Sequence, residues 1–153
     1  MTSSHRLYDN TGMSSPAIDL SAFQKALAQL QEAIEFWRGL APDSALKPHL
    51  RSSVIQSFEF TYELSVRMLR RVLIERSAAA DLVADLSFND LLRRAADAGL
   101  IADPQLWRDW REMRNATSHA YDETKANQVA TGAIRFAEDA AALLGTLETS
   151  LAN

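Results

Sequence analysis

From Leu20 onward the apolar residues recur at helical rather than strand intervals. Leu20, Phe23, Leu27, Leu30, Ile34 and Trp37 fall three and four apart, the spacing of one buried stripe on a helix. They predict a first helix from Leu20 to Arg38, stopped by Gly39 and Pro42. Val54, Phe58, Thr61, Ser65, Met68 and Val72 mark one face of a long second helix, Pro48 to Arg76, with Ile55, Tyr62 and Leu69 beside them. Ser87 is placed to cap a third, with Asp90 three residues on, and Gly99 closes it. Asp103-Pro104 opens a fourth through a cap followed by proline, carrying Leu106, Trp107, Trp110 and Met113. After a break at Thr117 to Thr124, a fifth stripe runs through Val129, Ala133, Phe136, Ala140, Leu143, Leu147 and Leu151.

No stretch alternates with a period of two, and Gly and Pro read as punctuation between helices. The fold class is therefore all-α, a bundle of about five helices. Residues 1–18, rich in Ser, Thr, Asn and Gly without an apolar period, read as a flexible leader, and Met13 is a candidate start. Residues 19–153 then form one domain, since a chain of 153 residues suffices for a single core.

Composition narrows the function classes. With no cysteine, disulfides, thiolate nucleophiles and cysteine-bound zinc are excluded. No apolar run approaches the roughly 20 residues that span a bilayer, and the first residues lack the pattern of a secretory signal. The expectation is a cytoplasmic protein without a membrane anchor. A net charge of −4 argues against broad, sequence-independent nucleic-acid binding, which rests on many cation–phosphate contacts. Arg108, Arg111 and Arg114 still supply a local basic spot, and an acidic surface elsewhere suits a protein partner.

The richest chemistry lies at the end of the fourth helix, in Arg111-Glu112-Met113-Arg114-Asn115-Ala116-Thr117-Ser118-His119-Ala120-Tyr121. Arg114 carries a permanent cation with fixed N–H donors suited to a phosphate, and a histidine such as His119 exchanges protons near neutral pH. The pair suffices for RNA cleavage without a metal or cofactor. His119 would take the ribose 2′-OH proton or donate one to the leaving 5′-oxygen, while Arg114 stabilises the phosphorane. Asn115 is a candidate to orient the imidazole or hold a phosphate oxygen, and Arg111 to support phosphate binding. Residues five apart on a continuous helix point about 140° from each other. Arg114 and His119 of one chain therefore converge only through a distorted helix end or the reach of the arginine. A two-fold dimer whose two motifs line one groove is the preferred solution. The plainer alternative is that both cations merely neutralise a helix C-terminus.

Trp107 and Trp110 read as core or interface anchors, or as a base-stacking face. Glu59 and Glu63, one turn apart on the second helix, read as a solvated or interfacial acidic face rather than metal ligands, because no histidine stands at helical spacing from them.

Three segments carry a family resemblance: Ser53-Val54-Ile55-Gln56-Ser57-Phe58-Glu59-Phe60-Thr61-Tyr62-Glu63-Leu64, Ala98-Gly99-Leu100-Ile101, and Arg114 through Glu123. From about Leu20 to Leu147 the chain resembles the HEPN proteins described as nucleotidyltransferase substrate-binding proteins. The resemblance implies an up-and-down helical bundle that forms a homodimer and pairs, as toxin with antitoxin, with a minimal nucleotidyltransferase. It implies a metal-independent ribonuclease site at the dimer cleft, marked by an arginine and a histidine with four to six residues between them. Arg114 and His119 fit that pattern, and Asn115 matches the polar residue after the arginine. It further implies adenylylation of a tyrosine two residues past the histidine, the place of Tyr121, with RNA, tRNA among the candidates, as substrate. Ser65-Val66-Arg67 departs from the tryptophan and lysine often found there. The other reading is a non-catalytic subunit that binds substrate for, or scaffolds, the nucleotidyltransferase.

Overall fold

Helix α1 (Ser21–Gly39) turns through a short connection into α2 (Lys47–Arg76), followed by the short α3 (Ala80–Ala84), α4 (Phe88–Asp97) and α5 (Pro104–Ala116); a 3₁₀ turn (Thr117–His119) then leads to α6 (Glu123–Ala152). These elements belong to a computed structural model that describes residues 17–152, and they include no strand among those residues. Of the expected leader, 1–18, all but the last two residues lie outside the described part.

The long helices form the frame. α1, α2 and α6 pack on one another, α5 leans on both α2 and α6, and α4 lies against α2 and α5. The stripes read from the sequence are the buried faces. Phe23, Leu30, Val54, Phe58, Leu69, Val72, Phe136 and Leu147 are all essentially inaccessible. At the centre Phe136 of α6 meets four aromatic rings, Phe58 at 4.9 Å, Trp110 at 5.6 Å, Trp107 at 6.1 Å and Tyr62 at 6.4 Å. Three of these pairs are edge-to-face, an arrangement the ring quadrupole favours, and the fourth is tilted. Trp107 and Trp110 are thus core anchors that fix α5 to the frame, and Trp110 Nε1 donates to Asp139 of α6 at 2.9 Å.

The helix ends follow the sequence signals. The Asp90 N–H donates to Ser87 Oγ at 3.2 Å, and that hydroxyl donates on to Asp90 Oδ2 at 3.0 Å. At the other end of α4, Gly99 sits at φ +74, with Leu100 N–H bonded to Ala95 O and Gly99 N–H to Ala96 O. This double closure needs a left-handed residue, which glycine adopts without strain. Asp103 accepts from Gln105 N–H at 2.9 Å and starts α5, with Pro104 as its first residue.

Two features differ from expectation. The sequence pattern predicts no helix at α3, whose five residues bury only Val83 and show no period. Its exposed carbonyl end is closed from outside, by Arg70 of α2 donating to Val83 O at 3.1 Å and Leu86 O at 3.0 Å. Gly132 and Gly145 lie inside α6 rather than between helices. At Gly132 a Cβ would stand 2.5 Å from Met113 Sδ, so the missing side chain makes room for the last turn of α5.

Candidate functional site

The end of α5 is where backbone geometry changes. The helix runs to Ala116 and tightens into the 3₁₀ turn Thr117–His119 before α6 begins at Glu123. Local hydroxyls drive the tightening. Thr117 Oγ1 donates to Arg114 O at 2.7 Å, and Ser118 Oγ donates to Asn115 O at 3.0 Å, so both occupy carbonyls that a continuing helix would use. Asp122 then restarts the chain by accepting from Lys125 N–H at 3.0 Å.

Arg114 does not project freely into solvent. Its guanidinium turns back onto α2, where Glu63 Oε1 accepts from Nη2 at 2.7 Å and from Nε at 3.3 Å, while Nη1 donates to Thr117 Oγ1 at 3.1 Å. Glu59 Oε2 stands 3.8 Å from Nη2. The Glu63 hydrogen bond raises the guanidinium above its ordinary value, with burial opposing it, so Arg114 is a fixed cation. The acidic pair, read from the sequence as a solvated or interfacial face, is engaged across the α2–α5 contact. The sequence did hold a signal: Glu59 and Glu63 flank Phe58 and Tyr62 on the helix, and both aromatics are buried, which sets the carboxylates at the rim of the core.

The other motif residues are spread around this point. His119 is exposed, with its ring centroid 6.2 Å from that of Tyr121 at an interplanar angle of 69°. Tyr121 is 86% exposed, whereas Tyr62 is buried and its phenol is pushed up to about 12 by that burial. Of these two tyrosines, only Tyr121 offers its hydroxyl to an incoming reagent. Asn115 is exposed beside the arginine. Arg111 stacks its guanidinium 4.7 Å from the centroid of the Phe88 ring, and Arg108 donates to Asn89 at 3.1 Å, so these two arginines are turned towards α4. A groove of about 380 Å³ lies alongside, lined by Ser52, Ile55, Gln56, Glu59, Thr117 and Ala120.

The structure thus gathers Arg114, Thr117, Glu59 and Glu63 into one cluster and leaves His119 and Tyr121 as an exposed pair following it. Three helical steps of about 100° and two 3₁₀ steps of about 120° separate Arg114 from His119 in rotation by roughly 180°. What the site offers is one oriented cation, one exposed imidazole and one exposed phenol, with the groove beside them. Among the described residues no three His, Cys, Asp or Glu side chains are grouped to hold a metal ion, and no helix is long and apolar enough to cross a membrane.

Comparison with known proteins bears on this arrangement. Residues 18–149 match the family described as nucleotidyltransferase substrate binding protein like. A curated protein of Haemophilus influenzae, named probable ribonuclease HepT, is 35% identical over 122 residues, which cover 76% of this chain and 83% of that protein. A solved structure from Haemophilus influenzae, reported as the fold of a substrate binding domain of a nucleotidyltransferase, superposes with a TM-score of 0.76 at 32% identity, covering 85% of this chain and 99% of the other.

Proposed function

The chain belongs to the nucleotidyltransferase substrate binding protein-like family, and from that premise we propose that it is a HEPN-type toxin, a metal-independent endoribonuclease that a minimal nucleotidyltransferase silences by adenylylating Tyr121. The observation that carries the reading is the oriented Arg114 guanidinium followed by the exposed His119 and Tyr121 on one short turn. The relative named probable ribonuclease HepT supports it.

In this reading two copies of the chain line one groove, which overcomes the rotation between Arg114 and His119 within a single copy. One His119 takes the proton of a ribose 2′-OH, and the 2′-oxygen attacks the adjacent phosphorus. The bond to the 5′-oxygen breaks, and the second His119 protonates that leaving oxygen. Arg114 stabilises the charge on the phosphorane, with Asn115 beside it; Arg111 supports the phosphate after leaving Phe88. The products are a 2′,3′-cyclic phosphate and a 5′-hydroxyl. For silencing, Tyr121 Oη attacks the α-phosphorus of ATP, and pyrophosphate leaves. The attached nucleotide brings negative charge and bulk two residues from His119 and excludes RNA. Such a pair acts in the cytoplasm, and tRNA is the first substrate to test.

A second reading has its own support: the solved relative is reported as a substrate binding domain, and Arg114 is already neutralised by carboxylates. Here the chain binds or scaffolds for the nucleotidyltransferase without cutting RNA. Incubating purified protein with labelled tRNA in excess EDTA separates the two. Cleavage by wild type that falls at least 100-fold in both His119→Ala and Arg114→Ala, each folded by circular dichroism, is the expected outcome. Equal residual cleavage in all three, or none by unmodified wild type, would leave the binding module.

A further inference from the structure

The ribonuclease reading uses Arg114 and His119 but gives no role to the carboxylates that hold the arginine. We infer that Glu63 is the positioning residue for Arg114, fixing the guanidinium so that its remaining N–H groups meet the scissile phosphate. The inference rests on the reading above for its catalytic consequence, and on geometry alone for the positioning.

The contact joins separate elements. Glu63 and Arg114 lie 51 residues apart, on α2 and α5, so the pair is not a local pairing along one helix surface. Glu63 is carried on backbone that the core immobilises, because its neighbours Tyr62 and Leu64 are both buried. On the other side Thr117, itself 8% exposed, is tied to Arg114 O and accepts from Nη1. The guanidinium is thereby gripped at Nε, Nη2 and Nη1 by two groups that the fold holds in place.

The count of donors shows what is left for a ligand. A guanidinium carries five N–H groups in a planar fork. Glu63 takes the Nε hydrogen and one on Nη2, and Thr117 takes one on Nη1. One N–H remains on each terminal nitrogen, so the guanidinium keeps donors for phosphate oxygens. Glu59, at 3.8 Å from Nη2, is too far to claim the hydrogen left there in a hydrogen bond. An arginine side chain has many rotamers, and a contact that holds it before substrate arrives removes that search from the binding step. A carboxylate that sealed the guanidinium off would occupy the terminal fork. Here Glu63 takes the side edge instead.

The test compares wild type, Glu63→Gln, Arg114→Ala and the double variant, with kcat and KM for RNA cleavage in EDTA and with the Nε–Hε resonance of Arg114 in nitrogen-15 labelled protein. Positioning predicts that Glu63→Gln lowers kcat on the order of 10-fold to 100-fold, the usual cost of misplacing a reacting group, with little change in KM. It predicts no further loss when Glu63→Gln is added to Arg114→Ala, whereas a purely structural effect would add in full. The Arg114 resonance should be shifted and slow to exchange in wild type and should merge with the exposed arginines in Glu63→Gln. Unchanged kcat or increased cleavage in Glu63→Gln overturns the inference, the increase marking Glu63 as a mask on the arginine. If no protein in the set cleaves RNA, the ribonuclease reading fails by itself and the resonance decides the positioning: loss in Glu63→Gln supports it, and a persistently protected signal overturns it.

Discussion

At the scale of single residues, the site is organised by exposure as much as by chemical type. Tyr62 and Tyr121 carry the same phenol, yet one is 7% exposed and the other 86%. Incubation with a catalytically active partner nucleotidyltransferase and ATP should therefore add adenylyl mass to wild type and none to Tyr121→Phe, as read by intact-protein mass spectrometry. A variant that still gained the full mass would place the acceptor elsewhere. Arg114, Asn115, His119 and Tyr121 stand out in the sequence as candidates because they fall within eight positions of one another. Glu63 stands out only as half of an acidic pair, since a partner 51 residues away becomes visible only when α2 and α5 are docked. Arg111 illustrates the converse. Its charge and position marked it for a phosphate, and in the fold its guanidinium rests on Phe88, so any phosphate must compete with a cation–π contact.

Among the elements, the α5–α6 contact decides how firmly the motif is presented. Burial raises the Asp139 carboxyl above its ordinary value, more than the hydrogen bond from Trp110 lowers it. Relative to the unfolded chain, the folded state therefore holds this proton more tightly. That preference contributes stability below the unfolded value of about 3.9 and is lost as pH rises through the folded value, leaving a partly desolvated charge that disfavours folding at neutral pH. Asp139→Asn keeps an acceptor for Trp110 and removes the charge. Thermal unfolding at pH 7 should show a higher midpoint than wild type, with the advantage disappearing below pH 4. A lower midpoint at pH 7 would mean that the charged acceptor outweighs its desolvation. The long helices were readable from their stripes, and the ends of α4 and the start of α5 from Ser87, Gly99 and Asp103-Pro104, because these are local signals. The short α3 was hidden because its stability comes from Arg70, a residue of another helix closing its carbonyl end.

For the whole molecule, the aromatic cluster around Phe136 joins α2, α5 and α6. Phe136→Ala should lower unfolding free energy by about 3–5 kcal/mol in a urea titration, the usual cost of emptying a fully buried phenylalanine site. A loss below about 1 kcal/mol would show that the surrounding rings collapse into the space. The cluster also has an optical consequence. Trp107 and Trp110 are 4% and 6% exposed and lie on the helix that delivers Arg114, while Trp37 sits half-buried with the Lys47 ammonium 5.1 Å from its ring centroid. Two of the three indoles in the chain thus emit from a dry aromatic setting, and their ultraviolet emission is tied to the docking of α5. Any ligand or partner that lifts this helix would redden the emission without an added dye, so the protein carries its own fluorescent gauge within a turn or two of the arginine.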